Sequence, residues 1–269
     1  MRISPDTGGR PANMTTLAAT ATDRNAGTHD RFLVGIASTC LAVSVVGFAP
    51  TYWIPLLSGT LDVPRIIHIH AVLFYTWLTI FVAQATLIAT GRFERHRRVG
   101  LAGVAVATAM LFVGAGVAAM RIGVLDAAGQ SAAGRAFSFI PLSGISLFAA
   151  LVATAIAFGR RPDIHKRLML VATVGLLNAP IGRLFRMVLA PGGGGADAPL
   201  PIAFSILPGF TGNLIIVAAM IHDRRTNGRV HPAYWIAGGL LVATQLVRPL
   251  VASSEAWIAF TRWLVPVAG

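Results

Sequence analysis

The chain has 269 residues, 55% of them hydrophobic and 12% charged, against roughly 25% charged in an ordinary soluble domain. With a mean hydropathy of +0.70, this composition excludes a disordered chain, a coiled coil and a typical cytosolic enzyme, and points to a polytopic membrane protein. The 22 Lys and Arg against 10 Asp and Glu give a formal charge of +12, but the excess lies in short segments between apolar runs, as in loops held at a cytoplasmic membrane face, and not in a nucleic-acid-binding stretch. The lone Cys40 excludes an internal disulfide or a CxxC site, and within an apolar run it reads as a small core residue.

Residues 1–30 are polar, without an apolar signal-peptide core, and read as a disordered cytoplasmic tail. Seven apolar spans follow, at Phe32–Trp53, Ile66–Thr90, Val99–Val124, Ala136–Phe158, Leu168–Leu189, Pro201–Ile221 and Pro232–Ser253. Each is about 20 residues, enough to cross a ~30 Å hydrocarbon core. Lipid satisfies no backbone polar group, so the spans are helices. The expected fold is an all-α transmembrane bundle over residues 31–254. Residues 255–269, with Trp257, Phe260, Trp263 and Leu264 at helical spacing, form an interfacial amphipathic helix.

The connections alternate in charge. Arg92, Arg95, Arg97 and Arg98 join spans two and three; Arg160, Arg161, Lys166 and Arg167 join spans four and five; Arg224, Arg225 and Arg229 join spans six and seven. The other side carries Asp62, Arg65, Arg121, Asp126 and Arg135, then Asp197 in the loop Ala190–Leu200, a flexible excursion by its composition. The positive-inside rule therefore puts the N-terminus in the cytoplasm and the C-terminal helix outside.

Ionisable residues within spans are costly, so each marks a candidate internal site. Arg183 and Arg186 on span five, and Arg248 on span seven, lie about 22, 27 and 24 Å from the inner ends of their spans at 1.5 Å per residue. They share an outer layer with His70, which opens span two and carries Phe74 and Trp77 on its face. An outer pocket of His70, Trp77, Arg183, Arg186 and Arg248 is expected, completed by Glu255 or by an exogenous anion; snorkelling to the interface is the simpler account of the same arginines. Asn178, Asn213 and Gln245 form a polar layer near the midplane, read as interhelical hydrogen bonds or a cavity floor. At the inner edge lie His96, His165, His222 and His231. They are interfacial residues or, for His96 and His165 above all, ligands of a metal or b-type haem, with His70 a further candidate ligand. No phosphate loop, dinucleotide fingerprint, HExxH or GxSxG occurs, and no nucleophile–base pair is visible.

The stretch His70-Ala-Val-Leu-Phe-Tyr-Thr-Trp77, with Gln84, Gly91-Arg92 and His96-Arg97-Arg98-Val-Gly100, resembles a group of bacterial integral membrane proteins of unassigned activity. So do Arg161-Pro-Asp-Ile-His165-Lys-Arg167-Leu-Met169, Ala179-Pro180 with Arg183, His231-Pro232-Ala-Tyr234, Gln245 with Arg248, and the Trp257 and Trp263 tail. More distantly, the pattern is similar to a broader predicted-membrane family and to membrane factors of terminal-oxidase assembly. Two-haem cytochromes b are a looser analogy, from which the chain departs in lacking His pairs on two shared helices. The resemblance implies a multi-pass protein of the bacterial inner membrane. The expected function is binding of a haem, metal or redox cofactor in envelope or respiratory assembly, alone or with a membrane-protein partner; the alternative is a transporter or channel for a small anionic substrate.

Overall fold

In the computed structural model, which describes residues 14–189 and 201–266, the chain is all helical. Helix α1 (Met14–Phe48) passes through a π-helical turn, Ala49–Trp53, into the short α2 (Ile54–Leu57). It is followed by α3 (Arg65–Ala89), α4 (Phe93–Ala127), α5 (Ser131–Ala157), α6 (Pro162–Gly175) and α7 (Asn178–Leu189). A 3₁₀ turn, Ile202–Ser205, leads into α8 (Ile206–Asn227), then α9 (Pro232–Leu246), α10 (Arg248–Ala252) and α11 (Glu255–Leu264). These make seven spans long and apolar enough to cross a membrane. Helix α1 begins inside the segment expected to be a tail; residues 1–13, the expected loop 190–200 and residues 267–269 lie outside the described residues.

The basic clusters turn out to be helix ends rather than loops. α4 starts at Phe93 and α6 at Pro162, so Glu94 and Asp163 occupy first turns, where a carboxylate suits the positive end of the helix dipole. Glu94 pairs with Arg98 one turn on. The real connection between α3 and α4 is a tight turn at Gly91, whose φ of +69° is open to glycine at little cost.

Helices α3 to α6 pack in sequence; α1 lies against α3 and α7, and α8 against α6, α7 and α9. In lipid, helix association rests on close packing rather than on hydrophobic expulsion. Accordingly α4 turns Gly103, Ala107, Gly114 and Ala118 inward, and a Cβ on Gly114 would lie 3.3 Å from Ile145 of α5. Cys40, Trp77, Met110, Phe148, Leu170 and Val171 are fully enclosed, while Leu57, Leu101, Phe112, Ile236 and Leu250 are 70–84% exposed. A surface of that kind suits contact with lipid acyl chains.

Two buried ionic knots tie the ends. At the basic end Arg167 of α6 pairs with Asp223 of α8, which also accepts from Asn227 Nδ2 (2.6 Å) and the His231 N–H (2.9 Å). His231 caps α9 by accepting from the Ala233 N–H (3.1 Å), so its Nε2–H donates to Asp163 (3.1 Å). At the opposite end Arg135, expected among the loop charges, is 1% exposed inside α5. It pairs with Asp126 of α4 and donates to the carbonyls of Thr261 (2.8 Å) and Val265 (3.1 Å), the last turn of α11. Trp257 Nε1 donates back to the Arg135 carbonyl (3.0 Å). The C-terminal helix is thus docked on α5 by one face, and it leaves Trp263 and Phe260 exposed on the other.

Candidate functional site

The chemistry-bearing residues gather in three places, and proline builds the first. Proline has no N–H, and its ring excludes the carbonyl four residues back, so it suits a helix's first turn and disrupts the ladder elsewhere, Pro141 inside α5 being the interior case here. Pro180, Pro208 and Pro249 each sit in such a turn, and span five breaks at Leu176–Leu177, span six opens as a 3₁₀ turn, and span seven breaks at Val247. Interrupted helices expose backbone and polar side chains at membrane depth, and in transporters they mark binding sites.

Here they collect the polar residues of spans five to seven. Asn213 Nδ2 donates to Gln245 Oε1 (2.8 Å) and Gln245 Nε2 donates back to Asn213 Oδ1 (3.3 Å). Arg248 Nη1 donates to Asn178 Oδ1 (3.2 Å), the Ser205 carbonyl (3.2 Å) and Ser205 Oγ (3.4 Å). A Cβ on Gly209 would stand 2.9 Å from Gln245 Cδ and 3.1 Å from Asn178 Oδ1, so glycine is what lets α8 approach both amides. Arg248 is 2% exposed and its partners are all neutral. Glu255, the expected counter-ion, opens α11 and does not reach it.

The second group lies against α1. Arg183 Nε donates to Thr51 Oγ1 (3.2 Å) in the π-helical turn, and its guanidinium stands 4.4 Å over the Phe48 ring. The Arg183 charge acts on His70 and Tyr75, which places His70 in this group, its ring 4.1 Å from that of Phe74 and tilted 32° to it. Arg186, one turn beyond Arg183, is half-buried. The expected outer pocket therefore falls into two parts: His70 with Arg183, and Arg248 turned instead to Asn178 and Ser205. Trp77, expected on the pocket wall, is a core residue. It is 2% exposed, its Nε1 donates to Thr173 Oγ1 (3.3 Å), and Phe148 packs edge-on at 4.9 Å.

The third group is at the basic end. His96, at the start of α4, and His165, at the start of α6, bring their ring centroids to 6.4 Å at an interplanar angle of 81°. The His165 Nδ1 lies 2.7 Å from the Ala155 carbonyl. A carbonyl only accepts, so Nδ1 carries a proton, and in the neutral ring the lone pair is on Nε2. His96 is held through its backbone: Gln84 Nε2 of α3 donates to its carbonyl (3.1 Å), and Gly100 leaves room for that side chain. The His96 Nδ1 and Gln84 Oε1 are both buried without a hydrogen-bond partner. His70 cannot join this pair, for it lies about 21 Å along α3 from Gln84 at 1.5 Å per residue. His222 stacks on Phe32 at 3.8 Å, and His231 is used as a cap. No cluster of three His, Cys, Asp or Glu capable of holding a metal occurs among the described residues.

Sequence reasoning passed over Ser205, Gly209 and Arg135. The signal for the first two was present in Pro180, Pro208 and Pro249, three prolines at matching places in three consecutive spans. No family model, curated protein or solved structure matches the chain, so the functional reading rests on these three groups.

Proposed function

We propose that the chain is a multi-pass protein of a bacterial inner membrane that holds a metal centre, as haem iron or a bare ion, between His96 and His165. The ring-to-ring distance of 6.4 Å carries this reading. Two imidazoles bound to one metal at about 2.0–2.1 Å have ring centres about 6 Å apart. A ligating histidine characteristically donates its other N–H to a carbonyl or carboxylate, as His165 does to Ala155. The buried, unsatisfied Nδ1 of His96 is the kind of atom that a ligand or ion satisfies. Two protein ligands complete a haem iron, whose other four donors come from the porphyrin; a bare ion draws its remaining donors from water or a partner. The resemblance to oxidase-assembly factors directs this cofactor reading toward respiratory assembly.

The visible spectrum of the purified full chain tests it. A Soret band with an α-band on reduction identifies haem. A blank spectrum with a stoichiometric ion by elemental analysis identifies a bare metal. Neither signal, in protein purified from cells replete in iron, copper and zinc, overturns the proposal.

The basic end faces the cytoplasm in this reading, because Arg92–Arg98, Arg160–Arg167 and Arg224–Arg229 share it. A reporter active only outside the cytoplasm, fused after Gly269, is expected to be active, and one active only inside to be silent. The reverse pattern would contradict the orientation.

A further inference from the structure

The metal reading leaves most of the charge at the basic end without a role. Arg92, Arg95, Arg97 and Arg98 lie where α3 meets α4, Arg160 and Arg161 where α5 meets α6, and Arg224, Arg225 and Arg229 where α8 meets α9. The first two sets stand beside an acid open to water, exposed Glu94 and half-buried Asp163. The third does not. Asp223 is 2% exposed, with one oxygen taken by Arg167 and Asn227 and the other by the His231 N–H. Arg224, Arg225 and Arg229 are all exposed, and among the described residues their guanidinium groups have no hydrogen-bond or ion-pair partner. Orientation requires only that such charges stay on one side of the membrane; it does not require them to be grouped without an acid.

The surface next to these arginines says what they meet. Along α8, Leu214, Val217, Ile221 and Arg225 recur at i, i+3, i+7 and i+11, and all four are exposed, so one outward stripe runs from apolar to cationic. On α9, Trp235 and Ile236 are 64% and 72% exposed, with Leu240 one turn on. The connection between α8 and α9 is residues 228–231 alone, so the two stripes end at one level. Arg225 lies about 6 Å beyond Ile221, and Trp235 about 5 Å inside the start of α9, at 1.5 Å per residue. The headgroup zone is about 5–8 Å deep on each side of the hydrocarbon core, and tryptophan settles at that boundary. Apolar stripe, indole and cations thus follow one another in the order of a phospholipid's acyl chains, glycerol backbone and phosphate.

We propose that the α8–α9 turn binds an anionic phospholipid, with its phosphate on Arg224, Arg225 and Arg229 and its acyl chains along the α8 stripe. The site is an open surface, so no enclosed volume limits its occupant. Three cations without an available carboxylate set the preference. A zwitterionic head brings its own cation to this turn, whereas a net-negative head, as in phosphatidylglycerol, brings only attraction. The site shares no residue with the His96–His165 pair.

Quenching of tryptophan fluorescence by brominated lipid tests it, with the full chain in phosphatidylcholine nanodiscs. At equal low mole fraction, dibrominated phosphatidylglycerol is expected to quench more than dibrominated phosphatidylcholine. That excess should vanish in Trp235→Phe, which removes the reporter at this turn and leaves the other four tryptophans. Each of the three arginines changed to Gln should weaken the apparent affinity about fivefold, and all three together about a hundredfold. All three are exposed surface residues, so the triple variant is expected to fold. Arg160→Gln with Arg161→Gln should leave the excess unchanged; an equal loss there would mean diffuse attraction to a basic face and would overturn the site. So would no excess in the wild type, an excess that persists in Trp235→Phe, or wild-type quenching of the triple variant. Glycerol 3-phosphate added in excess should not reverse the quenching; reversal would give the turn to a soluble phosphate and overturn the lipid assignment.

Discussion

Asp223→Ala is expected to destabilise the protein by about 3–5 kcal/mol, the cost of leaving one charge of a buried pair uncompensated. Arg167 is 5% exposed, and its one carboxylate partner is Asp223. The same carboxylate holds Asn227 and the His231 N–H, so its loss loosens α6, α8 and the start of α9 together. Reversible unfolding in mixed micelles measures the change. The double variant Arg167→Met with Asp223→Leu is expected to regain much of the loss, because a pair removed together leaves no orphaned charge. A single variant as stable as the wild type would contradict the role given to this knot.

Gly47→Ala is the second large effect. A Cβ there would sit 2.5 Å from the Pro180 carbonyl oxygen and 2.6 Å from Pro180 Cβ, an obstruction by rigid backbone that no rotamer change relieves. The cost should reach or exceed the about 1–3 kcal/mol usual for overpacking. By pushing α7 from α1 it should also break the Arg183 bond to Thr51. Gly35→Ala, on the same helix with nothing within 4 Å, is the control, and is expected to be neutral or slightly stabilising. Equal stability of the two variants would show that α1 and α7 are not in the close contact described.

The seven spans were readable because a run of about 20 apolar residues has few alternatives in a protein. Their ends were less so. Phe93 and Pro162 begin helices several residues before the apolar stretch, since a backbone already winding continues through Arg and Lys, which are good helix formers. Depth was also legible: counting residues puts His96 and His165 at one end and Arg183 and Arg248 toward the other. Direction around each helix was not. Asn178 and Arg183 are five residues apart, about 140° around α7 at 3.6 residues per turn. Asn178 therefore meets Arg248 while Arg183 meets α1, and cations of similar depth divide between two groups. Trp77 does share the His70 face of α3, but about two turns deeper that face is covered by Thr173 and Phe148, so the indole enters the core instead of a pocket. Arg135 was hidden by its position near a span end, where an arginine ordinarily reaches water; only the docking of α11 shows why it is buried.

Metal content per chain, compared between the wild type, His96→Ala and His165→Ala, bears most directly on the proposed centre. Both variants are expected to insert and fold, because His96 is held by its backbone carbonyl and truncating His165 removes one hydrogen bond, to the Ala155 carbonyl in the last turn of α5. A stoichiometric metal in the wild type, lost from each variant, is the predicted result; equal metal in all three proteins, or none in any, would contradict it.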